Sequence, residues 1–177
     1  MIFTITLIFF KGNFIYPFEN ISLYFKMYKQ MAKTWITMWK TNSDDLKSRA
    51  IGWRNELAIH RINKPSRLDR ARKLGYKAKQ GIVVIRARVG RGGMRKQRPV
   101  AGRRQKHSGV VRIKQATNMR LVAERRVNEK YPNMEIIGSY FLYKDGKHSW
   151  YEVILADPSH PSIYKDKEMR GKLKALA

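Results

Sequence analysis

The segment VGRGGMRKQRPVAGRRQKHSG, residues 89 to 109, carries seven Lys or Arg, five Gly and no acid. Arginine forks match phosphate oxygens bidentately and stack on nucleobases, and lysine offers a point charge to the same anions. The glycines permit sharp turns and close backbone approach, and Pro99 restricts one φ. Only Val89, Met94, Val100 and Ala101 are apolar, so the segment has almost nothing of its own to bury. A loop of this kind within a compact domain is either functional or disordered. A solvated linker would mix signs or use Ser and Glu, whereas this one uses cations alone. The chemistry it offers is capture of a polyanion. RNA fits best, because its folded surfaces present dense phosphate, 2′-hydroxyls and unstacked bases to an adaptable Arg- and Gly-rich chain.

Covalent and acid–base chemistry has no comparable footing. GRGG does not extend to the Gly-x-x-x-x-Gly-Lys-Ser/Thr phosphate loop, and the dinucleotide-like pattern begun by Gly90 and Gly92 fails at Arg95. His60, His107, His148 and His160 are scattered without metal-ligand spacing, and no close pair of carboxylates stands in the acid-poor centre. There is no Cys, hence neither a disulfide nor a thiolate metal site. The expectation is no enzyme, no metal and no cofactor.

The charge asymmetry reaches past the segment, since no Asp or Glu occurs between Asp69 and Glu124. Over 177 residues, 38 Lys+Arg stand against 13 Asp+Glu, a formal net charge of +25. Such self-repulsion calls for an anionic partner. With 43% hydrophobic residues the chain can still build a modest core, and its length suggests one domain, or one domain with extensions.

The elements that hold the segment are legible in outline. Asn42 or Ser43 can cap a helix with Asp44 and Asp45 in its first turn, and Leu46, Ala50, Trp53 and Leu57 recur on one face. Core packing is the expected role of that stripe, Trp53 included. Pro65 interrupts the chain, Ser66 and Asp69 have capping-box spacing, and Gly75 follows Leu74, which predicts a short basic helix from Arg67 to Leu74. IVVIRARV, residues 82 to 89, predicts a strand with Val83, Ile85, Ala87 and Val89 on one face and Ile82, Val84, Arg86 and Arg88 on the other. After the basic segment, Ile113, Ala116, Met119, Ala123 and Val127 mark a second helix that Pro132 ends. EIIGSYFLY and HSWYEVILA about Asp145-Gly146 predict a hairpin. DPSHPS reads as a turn, and the last residues as helix-prone without a clear apolar face.

Residues 1–30 differ in composition from the rest. Their opening apolar run is about ten residues against the roughly 20 needed to span a bilayer, with no basic stretch before it. Three readings are open, a membrane-proximal anchor, a packed extension and an upstream start, and the expectation is the last: the native chain starts at Met31, with Met27 a weaker candidate.

From Arg67 to Val110 the sequence resembles the fifteenth large-subunit ribosomal protein family of the eukaryotic type, shared by archaea and eukaryotes. The resemblance is carried by Leu74-Gly75-Tyr76-Lys77-Ala78-Lys79-Gln80-Gly81, the strand end Arg86-x-Arg88-Val89, Arg91-Gly92-Gly93 and Arg95-Lys96-x-Arg98-Pro99. SYFLYKDGKHSWYEVILADPSHPSI is similar to the same family's hairpin and following turn, and the likeness runs from about Met31 to about Ile163. The family's Gly-Leu-Thr-Ser-Ala-Gly element is not among the residues after Ile163.

The resemblance implies an α+β core, a small antiparallel sheet flanked by helices, with a long basic loop and terminal extensions. On that basis residues 31–163 form the core, with the loop at 90–109, and 164–177 form a short charged tail. It further implies a structural constituent of the cytoplasmic large ribosomal subunit that supports translation. Its partners would be large-subunit ribosomal RNA and neighbouring large-subunit proteins, with no membrane and no homo-oligomer. Carried onto matching positions, the RNA-facing set is Arg67, Arg70, Arg72, Lys73, Lys77, Lys79, Arg86, Arg88, Arg91, Arg95, Lys96, Arg98, Arg103, Arg104 and Lys106. Two other classes stay open from the residues alone: a basic peripheral membrane protein and a general nucleic-acid chaperone.

Overall fold

The β-branched run at 82 to 89 becomes a central strand of a four-stranded antiparallel sheet in the computed structural model, which describes residues 18–92, 97–110 and 117–176. The chain divides into two compact units, Met1–Ile51 and Gly52–Ala177.

In the first unit, helix α1 (Phe18–Lys40) runs without a break across Met31, where the composition changes. The hydroxyls of Thr34, Thr37 and Thr41 donate to carbonyls four residues back at 2.9–3.0 Å, so polar groups are satisfied within the helix. Asn42, at φ 47, turns the chain into α2 (Asp44–Asn55), whose first amides at Leu46 and Lys47 reach the Ser43 carbonyl. Leu46, Ala50 and Trp53 are buried as their spacing predicts. Leu57 departs from the expected stripe, because α2 ends at Asn55 and leaves it 72% exposed. No helix among the described residues is long and apolar enough to cross a membrane.

The second unit is built on the sheet. Strand β1 (Ile59–Ile62) pairs with β2 (Ile82–Gly90), with the short helix α3 (Leu68–Leu74) between them in sequence. Helix α4 (Met119–Lys130) leads into β3 (Glu135–Lys144) and β4 (His148–Ala156), and the strand order is β1-β2-β4-β3. Alternation sends Ile85, Ala87 and Val89 of β2 and Tyr151, Val153 and Leu155 of β4 to one face. There they close a core with Ala123 and Val127 of α4. Asn118 caps α4 by accepting from the Arg120 amide at 3.2 Å, and the helix stops before Pro132. Ile113 and Ala116 lie outside the described residues.

The opposite face holds an aromatic group in which Trp53 lies 6.0 Å from Trp150 and 6.4 Å from Tyr143, the core role expected of it. At the hairpin turn the Asp145 carboxylate accepts from the Lys147 amide at 2.8 Å and also from the His148 amide. Gly75, at φ 108, ends α3 as expected, but the capping box does not form: Ser66 donates its amide and hydroxyl to Glu152 instead, at 3.0 and 2.6 Å. A buried carboxylate accepts a stronger, charge-assisted bond than a helix amide would offer that hydroxyl. After β4, Asp157 caps the turn, and α5 (Pro161–Tyr164) and α6 (Lys167–Leu176) follow. Helix α6 does have an apolar face, made by the buried Met169 and Leu173 one turn apart.

Candidate nucleic-acid interface

Strand β2 delivers the chain into the basic segment at the end of the sheet beside the β3–β4 turn. The Arg91 amide donates to the Lys147 carbonyl at 2.8 Å, and its guanidinium donates to the Asp145 carbonyl. Arg88 donates from its side chain to the Arg54 carbonyl, and Arg54 Nε pairs with Asp145 at 2.9 Å. Arg54, Arg88 and Arg91 are thus tied to the β3–β4 turn at the root of the loop. Arg54 had no signal in the sequence, since only the fold brings it to a turn 91 residues further on.

Beyond the root, Arg98, Arg103, Arg104 and Lys106 are exposed, and none takes an ion-pair partner among the described residues. Among the described residues of the segment, regular structure is a 3₁₀ turn at Gln105–His107, which Ser108 closes with a 2.7 Å bond to the Gln105 carbonyl. Val100 is 90% exposed and Ala101 is exposed as well, so neither anchors the segment. Arg95 and Lys96 lie outside the described residues.

On α3, Arg70, Arg72 and Lys73 are exposed, while Arg67 turns inward to a 3.1 Å pair with the buried Asp69. Lys77 and Lys79 reach the start of α6. Asp166 accepts from Lys77 at 3.1 Å and Lys79 at 2.8 Å, and Glu168 accepts from Lys77 at 2.9 Å. The Lys79 ammonium, assisted by Lys77 and the Met169 amide, holds the Asp166 carboxyl well below the usual carboxylate range against the cost of its burial.

Arg86 occupies a different environment from the rest of the expected set. It is 8% exposed and bonds both oxygens of Glu56 at 2.9 Å, Ser66 Oγ at 3.0 Å and Glu152 at 3.4 Å, with its guanidinium 4.7 Å from the Trp53 ring centre. Glu152 is fully buried and also accepts from the Tyr140 hydroxyl. That hydroxyl is pushed far above its ordinary range, by burial first and then by the Glu152 charge. Arg86 therefore joins Glu56, the turn before α3 and strand β4, and it does not face outward.

The acids sort in the same way. Glu56, Asp69, Glu124, Asp145, Glu152, Asp166 and Glu168 each pair with a cation within the protein. Among the described residues no group of three or more His, Asp or Glu is arranged to hold a metal ion.

Large ribosomal subunit protein eL15 of Metallosphaera sedula is 49% identical over 140 residues, which cover 78% of this chain and 64% of that protein. Those of Methanocella arvoryzae and Methanococcoides burtonii are 54% and 53% identical over 117 residues, 66% of this chain and 60% and 59% of theirs. The chain spans about three fifths of the length of these curated relatives. The family model described as Ribosomal L15 matches residues 26–171, from the middle of α1 into α6, so it takes in the sheet, its helices and the basic segment alike. A match of that extent, with half the residues identical in three relatives, establishes that the chain belongs to the Ribosomal L15 family.

Proposed function

We propose that this protein is a structural constituent of the large ribosomal subunit, in the cytoplasm, where it binds and stabilises ribosomal RNA through the basic segment 90–109 and the outer face of α3. The observation that carries the reading is the separation of charge. Glu56, Asp69, Asp145, Glu152 and Asp166 are paired by Arg54, Arg67, Lys77, Lys79 and Arg86, while Arg70, Lys73, Arg98, Arg103, Arg104 and Lys106 remain exposed with no ion-pair partner among the described residues. Exposed cations with no carboxylate to answer them are matched by phosphate. Family membership supplies the context, since the relatives carry the name of large-subunit proteins. Of the expected RNA-facing set, Arg86, Arg67, Lys77 and Lys79 hold the fold together in this reading. Arg88 and Arg91 fix the loop root, and the exposed cations meet RNA. Neighbouring large-subunit proteins are the remaining partners. Sucrose-gradient fractionation tests the proposal: the protein is expected to stay with large subunits through a high-salt wash, and pelleting with membranes or release on washing would refute it.

A further inference from the structure

Away from the basic segment, aromatic, apolar and cationic groups meet at a second place. An open groove of about 270 Å³ lies between the start of β3 and the α5–α6 pair. Ile163 and Leu173, both buried, form its floor, and Pro158 closes one side. Tyr164, Arg170 and Lys174 make the rim. Tyr164 is 62% exposed, and the Arg170 guanidinium stands 5.6 Å from its ring centre. Glu135 also lines the groove, and its Oε2 is shielded from solvent without a hydrogen bond among the described residues. Small-molecule sites begin at roughly 300 Å³, so this groove has room for one flat ring system rather than a whole cofactor.

Charge decides which kind of ring. Among the lining residues Glu135 is the one acid against the two cations Arg170 and Lys174, and the acids at the start of α6, Asp166 and Glu168, are engaged by Lys77, Lys79 and Lys172. Arg170 and Lys174 have no ion-pair partner among the described residues and keep their positive charge on the rim. An apolar floor, an exposed aromatic ring and flanking cations are the means by which single-stranded nucleic acid is held, base on ring and phosphate on cation.

We propose that this groove binds one unstacked RNA nucleotide. Its base lies against Tyr164 and the Ile163–Leu173 floor, and its flanking phosphates lie on Arg170 and Lys174. The proposal rests on the RNA-binding function above and adds a contact separate from segment 90–109.

The test uses the full chain and a five-nucleotide RNA with 2-aminopurine at its centre, whose fluorescence falls when the base stacks. Tyr164→Ala is expected to abolish the quench and weaken binding about 5- to 150-fold. Tyr164→Phe keeps both, because the ring and not the hydroxyl stacks. Arg170→Ala with Lys174→Ala keeps the quench at saturation and lowers the slope of log affinity against log salt by about 1.4. A quench that survives Tyr164→Ala overturns the site. A chain that co-sediments with large subunits yet gives no quench also overturns it and leaves the wider RNA function standing. A Tyr164-dependent quench in a chain that fails to co-sediment supports the groove and removes the ribosomal assignment.

Discussion

Arg86 and Arg98 are the same residue twelve positions apart with opposite duties. Arg98 is exposed, whereas Arg86 sits between Glu56 and the fully buried Glu152. Removing one partner of a buried pair leaves the other charge uncompensated, which costs about 3–5 kcal/mol. Arg86→Met is therefore expected to lower stability by that amount in urea unfolding and to leave the salt dependence of RNA binding unchanged. Arg98→Ala should do the reverse, and equal stability in the two variants would contradict the assignment. Asp166 belongs to the same scale. Its folded-state pKa is depressed, so the stability it contributes is present above the unfolded carboxylate value of about 3.9 and is lost as pH falls through the lower folded value. Amide protection of α6, corrected for intrinsic exchange, is expected to fall as pH drops below about 4. Asp166→Asn should lower that protection already at neutral pH and flatten its acid dependence. An unchanged acid profile in the variant would show that the Lys77–Asp166–Lys79 bridge does not hold α6.

Elements with local signatures are legible in the sequence itself. The 82–89 run, the Asp145-Gly146 hairpin and the Gly75 helix end each depend on residues within a few positions, and each forms where its pattern lies. What stays hidden in the sequence depends on partners far along the chain. Ser66 has capping spacing, yet its hydroxyl goes to Glu152, 86 residues away. Lys77 and Lys79 look like phosphate ligands until Asp166, which lies 89 and 87 residues on, is folded against them. In helix α6 the buried Met169 and Leu173 stand among many charges, a thin stripe to read without its neighbours. The candidate interface is thus legible as a set of cations, but not in its division between inward and outward members. Gly81 lies on the inward side. At φ 87, a Cβ there would stand 2.8 Å from Ile163 Cγ1 and 2.9 Å from His160 Cβ. Gly81→Ala is expected to destabilise the protein by at least about 1–2 kcal/mol from backbone strain alone, with more from the contact. Gly102→Ala, in open space, should change little in the same denaturation measurement.

For the whole molecule, the excess of cations is the dominant electrostatic fact, and its arrangement decides how RNA is held. Phosphate contact and base reading leave different signatures. Each phosphate neutralised contributes about 0.7 to 0.9 to the slope of log affinity against log salt, so the seven Lys and Arg of segment 89–109 correspond to a slope of up to roughly 5 to 6. Base-edge contacts instead discriminate between sequences and leave the slope nearly untouched. Arg103 and Arg104 are adjacent, Lys106 and Arg98 are close in sequence, and all four are exposed, a density that suits a run of phosphates better than separate base edges. Replacing Arg98, Arg103 and Arg104 together with Ala is therefore expected to lower the slope by about two and to weaken cognate and unrelated structured RNAs alike. Stability should be unaffected, because none of the three makes an ion pair among the described residues. If the slope stays constant while affinity falls only for the cognate RNA, these arginines read bases, and the positioning role passes to Arg70 and Lys73 on α3.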